Sequence, residues 1–84
     1  MKVRPNDEEI RNLGLNIVLA LREKDWTQQQ LEAASGVPQP TISKIIRGKR
    51  DPSVSIVSRL AKALTKTIDE LLSPPNRKKL RSAS

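Results

Sequence analysis

The stretch TQQQLEAASGVPQPTISKIIRGKR, residues 27–50, decides the fold of this 84-residue chain. Thr27 is a helix N-cap residue, because its hydroxyl can accept a backbone N–H from the first turn. Gly36 is suited to the left-handed conformation that ends many helices. Pro40 fits the first turn of a following helix, where its missing N–H costs little. The stretch therefore predicts two short helices joined by a tight turn, the second running over about residues 39–47.

Capping signals and apolar spacing place three more helices around this pair. A Ser, Thr or Asn followed three residues later by Glu or Gln marks a helix start, and this pattern occurs at Asn6, Thr27 and Thr67. Ser53 is a further candidate cap. Apolar residues then recur at spacings of three and four in each segment, whereas no stretch shows the alternation of a strand. The predicted fold class is all-α, a compact bundle of five short helices.

The same spacing predicts which side of each helix is buried. Leu31 and Ala34 are expected to form the inner side of the second helix, and Ile42 and Ile45 that of the third. Gly14 stands inside the apolar face of the first helix, where it costs up to about 1 kcal/mol relative to alanine. A glycine at such a place indicates that another helix approaches closely.

Length and composition limit the organisation and the chemistry. The chain is long enough for one small domain, which we expect over residues 6–72, between an N-terminal arm (1–5) and a basic, disordered tail (73–84). It contains no Cys and no His, which removes thiolate chemistry and the usual general base and metal ligand. No membrane-spanning run or secretory signal is recognisable. We therefore expect a cytoplasmic protein with no catalytic site, metal site or cofactor.

Positive charge is concentrated near the second helix of the pair. The formal net charge is +7, and residues 33–50 contain no acidic side chain. A second basic cluster lies in the tail. Clustered positive charge suits a polyanionic partner such as nucleic acid, although a solvated basic surface has the same composition. Two short helices at a tight turn form a helix-turn-helix, whose exposed second helix fits the DNA major groove.

From about residue 13 to residue 72 the chain resembles the Cro and phage-repressor (Xre) family of helix-turn-helix regulators. The resemblance rests on the Thr-Gln start of the second helix, on Ala34 and Gly36 at the turn, and on "TIS" in the third helix. It also rests on "RGKRDPS" and on the "LAKAL" and "DELL" segments that follow. These motifs are weak one by one, but their order along most of the chain is specific.

The resemblance implies that the third helix reads base edges. Glutamine can bind adenine through two hydrogen bonds, lysine can reach guanine O6 and N7, and a threonine offers a hydroxyl or a methyl group. A proline either touches a thymine methyl or only stiffens the helix start. An ordinary exposed polar face remains the alternative for the polar positions. The implied base-reading residues are Gln39, Pro40, Thr41 and Lys44, with Ser43 at the edge.

Phosphate contacts and a dimer interface are implied in the same way. Helix N-termini attract anions, since unpaired N–H groups and the helix dipole point outward there. Basic residues after the reading helix would fix its register on DNA. Family members usually bind near-palindromic operators as homodimers, with contacts around the fifth helix. The implied dimer contacts are Leu71 and Leu72, for which closing the core is the alternative role. The implied phosphate-binding residues are Thr27, Gln28, Arg47, Lys49 and Arg50.

Three functions use this chemistry. The leading hypothesis is a sequence-specific regulator of transcription, and specifically a repressor, that binds double-stranded DNA. The alternative is an antitoxin that binds a toxin protein and represses its own operon, although the tail offers only Leu80 as an apolar contact. Control of a restriction–modification operon is a third possibility.

Overall fold

The computed structural model describes residues 6–49 and 51–75. Five α-helices and no strand occur within these residues, which confirms the predicted all-α fold. The N-terminal arm, Arg50 and residues 76–84 of the tail lie outside the described residues. The helices are α1 (Asp7–Lys24), α2 (Gln28–Ser35), α3 (Gln39–Ile46), α4 (Val54–Leu64) and α5 (Ile68–Leu72).

Local hydrogen bonds fix where the helices begin. Asn6, Thr27 and Thr67 each accept the backbone N–H three residues later, and the Glu or Gln there accepts the cap residue's own N–H. Ser53 accepts the N–H of Ile56 at the start of α4. A side-chain cap of this kind stabilises a helix by about 0.5–2 kcal/mol. All four predicted helix starts are confirmed.

The core is aliphatic and draws on every helix. α1 and α4 contribute most of the buried side chains, whereas α2 and α5 contribute one each, Leu31 and Leu71. Trp26 and Ile46 pack against the edge of the core. The buried apolar residues are Leu13, Ile17, Ala20, Leu21, Leu31, Val37, Ile42, Ile45, Val57, Leu60, Ala61, Leu64 and Leu71.

The prediction that Ala34 lies on the inner side of α2 is wrong. Ala34 is exposed, whereas Ser35 is half-buried. The Ser35 hydroxyl accepts the N–H of Val37 at 3.1 Å. The inner side of α2 therefore runs from Leu31 to Ser35, the residue four positions later.

Gly14 lets α1 approach the end of α3, as its position in the sequence predicts. A Cβ atom at Gly14 would lie 2.7 Å from the carbonyl oxygen of Ile46 and 3.0 Å from that of Ile45. Both atoms belong to the backbone and cannot rotate away. The glycine thus fixes how closely the third helix is held to the body of the domain.

We predict that Gly14→Ala lowers the free energy of unfolding by about 1–3 kcal/mol, the usual cost of overpacking. The clash with α3 should outweigh the higher helix propensity of alanine, which favours the variant by about 1 kcal/mol. Thermal unfolding followed by circular dichroism measures the change, and Ser55→Ala, at an exposed helical position of α4, is the control. A melting temperature raised by Gly14→Ala would contradict the close approach.

Two asparagines of α1 hold the end of α5. Asn12 Nδ2 donates to the Leu72 carbonyl oxygen at 3.0 Å. Asn16 Nδ2 donates to the carbonyl oxygens of Leu71, at 2.8 Å, and Ser73, at 2.7 Å. These bonds satisfy carbonyl groups that a helix end leaves without partners. They also place the end of the domain beside α1.

Candidate nucleic-acid interface

One side of α3 is open to solvent because the other is filled by Ile42 and Ile45. Both isoleucines are fully buried. The remaining positions are exposed or half-exposed and include no acidic residue. The structure thus places all the predicted base-reading residues on the accessible part of one helix. They are Gln39, Pro40, Thr41, Ser43 and Lys44, of which Pro40 and Lys44 are the most exposed.

The first residues of α2 and α3 are joined by a hydrogen bond. Gln39 Nε2 donates to Gln28 Oε1 at 3.1 Å. A primary amide has two N–H donors and one carbonyl acceptor. In this pairing Gln28 keeps both donors, and Gln39 keeps one donor and its acceptor. The sequence marks both residues as separate candidates but does not indicate that they are in contact.

The start of α3 is built without a side-chain cap. Pro38 is the N-cap residue, and its carbonyl oxygen accepts the N–H groups of Thr41, at 2.9 Å, and Ile42, at 3.0 Å. Pro40 follows in the first turn. Its ring fixes φ near the helical value, which agrees with the interpretation that it stiffens this helix start.

A glycine turn ends α3 and leads into the basic loop. Gly48 has φ +72°, with no atom within 4 Å of where a Cβ would stand, so backbone conformation rather than space requires glycine. The N–H of Lys49 donates to the Lys44 carbonyl oxygen at 2.8 Å. Arg47 and Lys49 are exposed beside the end of α3. Arg50 lies outside the described residues.

Thr27 contributes to the cap of α2. Its Oγ1 accepts the N–H of Gln30 at 3.1 Å. The hydroxyl proton of Thr27 is still available for donation. The preceding corner is ordered by Trp26, which packs on the core and has the Lys24 ammonium 5.2 Å from its ring centre. The corner sets the position from which Gln28 begins α2.

The two predicted dimer contacts differ in burial. Leu71 is 1% exposed and packs in the core of its own chain. This burial agrees with the alternative role of Leu71, which is to close the core. Leu72 is half-buried at the end of α5 and remains accessible.

Charge is unevenly distributed over the molecule. The described residues contain nine Lys or Arg and nine Asp or Glu. The whole net charge of +7 therefore belongs to residues 1–5, Arg50 and residues 76–84. Within the domain six of the nine acids lie on α1 and α5, and none lies on α3. The α3 side is thus positive although the described part is neutral.

Within residues 6–49 and 51–75, no group of three or more carboxylate side chains is arranged to hold a metal ion. No helix in this part is both long and apolar enough to cross a membrane.

A family model and a curated relative match most of the domain. The helix-turn-helix model HTH_3 matches residues 18–71. An uncharacterized HTH-type transcriptional regulator, y4dJ, from Sinorhizobium fredii is 40% identical over 62 residues, which are 74% of this chain and 80% of the relative.

Two solved structures share the fold. The hypothetical transcription factor NHTF from Neisseria superimposes with a TM-score of 0.79, covering 98% of this chain and 93% of that one, at 24% identity. At this identity the likeness concerns the fold alone. The restriction-modification controller protein C.AhdI from Aeromonas hydrophila gives a TM-score of 0.69 and 26% identity, covering 74% of this chain and 94% of that one.

Proposed function

Because this chain belongs to the helix-turn-helix family HTH_3, we propose that it represses transcription as a homodimer whose α3 helices read adjacent major grooves of an operator. The helix-turn-helix family and a relative named an uncharacterized HTH-type transcriptional regulator support DNA-binding regulation of transcription. Repression, the dimer and the role of each residue are our proposals. The observation that supports them best is the open, acid-free side of α3, whose first residue is hydrogen-bonded to the first residue of α2.

Gln39 is proposed to read adenine. Adenine presents N7 as an acceptor and N6 as a donor in the major groove. After its bond to Gln28, the Gln39 amide retains one N–H and its carbonyl oxygen. These two groups match the adenine edge, so Gln28 orients the amide without using up the atoms needed for reading. Fixing the amide before binding also lowers the entropy lost on binding.

Lys44 stands five residues after Gln39 on α3, about one and a half turns further on, and is proposed to reach guanine O6 and N7. The Lys44 side chain is exposed. Thr41 and Ser43 flank it with short hydroxyl side chains that suit either a base edge or a sugar. Pro40 has no hydrogen-bonding group, so its proposed role is to stiffen the helix start.

Phosphate contacts are proposed to surround the reading helix. Gln28 retains both amide donors at the start of α2, where the helix dipole also favours an anion. Thr27 retains its hydroxyl proton. Arg47 and Lys49, with Arg50, would bind the backbone beyond the other end of α3 and fix register without reading sequence.

The proposed dimer follows from operator geometry. One short helix reads only a few base pairs, and helix-turn-helix dimers read two half-sites about 34 Å apart. The accessible Leu72 is the remaining α5 candidate for the dimer contact. A repressor of this kind acts by occupying DNA, so no catalytic residue is assigned, and its place of action is the cytoplasm.

Base reading and phosphate binding should separate in a selection of bound sequences from random duplex DNA. We predict that Gln39→Ala and Lys44→Ala each relax the base preference at one position per half-site, by about 1–3 kcal/mol. Arg47→Ala is the control and should weaken all selected sequences by similar factors. A changed preference with Arg47→Ala but not with the other two would contradict the assignment.

The biological setting is open to a simple test. C.AhdI supports control of a restriction–modification operon as a second candidate, and genes for a nuclease and a methyltransferase beside this one would favour it. None of the three similar proteins y4dJ, NHTF and C.AhdI is named an antitoxin. The comparisons therefore do not favour the alternative hypothesis of an antitoxin that binds a toxin protein.

A further inference from the structure

An exposed apolar pair lies on α1. Leu15 is 54% exposed and Leu19, one turn later, is 42% exposed. Among the described residues the only other large apolar side chain so exposed is Val54, at 46%, which stands on a different helix. Single exposed apolar residues are ordinary, but neighbouring ones form a patch that indicates a contact. The pair plays no part in the core or in the DNA-reading side.

The position of the pair on α1 is fixed by its neighbours. Gly14 faces α3, and Asn12 and Asn16 face the end of α5. At about 100° per residue, Leu15 and Leu19 lie beside the asparagines and away from Gly14. The patch is therefore next to the end of α5, where Leu72 is half-exposed, and is separate from α3.

Charged residues extend the pair into a self-complementary stripe. Glu8, Arg11, Leu15, Leu19 and Arg22 follow one another at spacings of three or four, so they share one face of α1. All five are exposed. Glu8 precedes Leu15 by seven residues and Arg22 follows it by seven. Within the described residues, neither Glu8 nor Arg22 forms an ion pair with another side chain.

We infer that α1 packs antiparallel against α1 of a second copy of this chain, on a two-fold axis that passes near Leu15. In this arrangement Leu15 faces its own counterpart, and Glu8 of each copy faces Arg22 of the other. Arg11 is opposite Leu19 and can cover it with its aliphatic stem. A parallel arrangement would bring like charges together, so the charge pattern selects the antiparallel one. The inference deepens the proposed function, because it assigns the dimer surface mainly to α1 rather than to α5.

A contact between two single helices is smaller than a standard interface of about 1,200–2,000 Å². The dimer should therefore dissociate on dilution within the micromolar range, even with a contribution from Leu72. Each isologous contact occurs twice, so one substitution removes two contacts. This doubling makes the interface sensitive to single variants.

Sedimentation equilibrium of the full chain, from about 1 to 500 μM, tests the surface. Leu15→Asp should weaken association at least about tenfold, since it places two carboxylates on the axis. Val54→Asp is the matched control, with the same change at a similarly exposed position, and should associate like the wild type. Thermal melts confirm that both variants fold. A wild type that stays monomeric throughout, or equal association of both variants, would overturn the inference.

A charge exchange tests the antiparallel register. Glu8→Arg and Arg22→Glu should each weaken the dimer at about 50 mM salt, and the double variant should recover it, because the pairs are then re-formed in reverse. A double variant no better than the singles would overturn the register. Failure of the DNA-binding proposal is distinguishable. A wild type that is monomeric in sedimentation but selects a palindromic operator would refute the α1 surface and leave the proposed DNA binding intact. A dimer that selects no DNA sequence would refute the proposed DNA binding and leave the α1 surface intact.

Discussion

Replacing Ile42 by alanine is expected to lower the free energy of unfolding by about 2–5 kcal/mol, the cost of removing a large buried aliphatic side chain. Ile42 is completely inaccessible and anchors the reading helix to the core. A small domain buries a low fraction of its surface and has a thin stability margin. In a domain of this size each kcal/mol shifts the melting temperature by about 4–8 °C. The variant should therefore melt far below the wild type.

Lys44→Ala is the matched control on the same helix. Its side chain is exposed, so truncation should change the stability by no more than about 0.5 kcal/mol. Calorimetry or circular dichroism at one protein concentration compares the three proteins. If Ile42→Ala melted like the wild type while Lys44→Ala unfolded, the inner and outer faces of α3 would be exchanged, and the proposed base-reading side would be wrong.

Helix starts were predictable because their causes are local. Asn6, Thr27 and Thr67 act on backbone groups three residues away, so no distant part of the chain is needed to recognise them. Pro38 and Pro40 likewise constrain only their own neighbourhood. The close approach at Gly14 was predictable for a related reason, because a glycine in an apolar helix face has few other uses.

The orientation of short helices was less predictable. Leu71 and Leu72 are adjacent in α5, which has only five residues, so apolar spacing cannot decide which of them is buried. The orientation of α5 depends on Asn12 and Asn16, which bind the end of α5 from positions more than fifty residues earlier in the chain. Ala34 was misplaced because Ala34 and Ser35 stand three and four residues after Leu31, so helical spacing alone does not decide which of them faces inward.

In the candidate site, too, single residues were predictable from the sequence, whereas the contact between them was not. The family resemblance marks Gln28 and Gln39 individually, and each position alone follows from sequence. Their hydrogen bond depends on the angle between α2 and α3, which the turn at Gly36 and the packing of Leu31 and Val37 determine together. The exposed pair on α1 was also missed, because periodicity finds the inner face of a helix and gives no reason for apolar residues elsewhere.

Steep salt dependence of DNA binding is the other large effect we expect. Arg47, Lys49 and Arg50 would supply about six phosphate contacts in a dimer, so log K against log salt should have a slope of roughly −5. Between 50 and 200 mM salt the affinity should fall by about a thousandfold. The described part of the chain is neutral overall, so its total charge cannot produce this slope, and the contribution of the cations beside α3 must be measured by substitution.

Fluorescence anisotropy with a labelled duplex that carries the selected operator measures the slope. Arg47→Ala removes two contacts from a dimer and should flatten the slope by about two. Lys62→Ala is the control, since it removes an equal charge from the exposed side of α4 and should leave the slope nearly unchanged. Equal flattening by both variants would mean that total charge governs binding, whereas a wild-type slope near zero would remove the electrostatic basis of the proposed interface. Only a slope that responds to Arg47 and not to Lys62 places the phosphate backbone against the loop that follows α3.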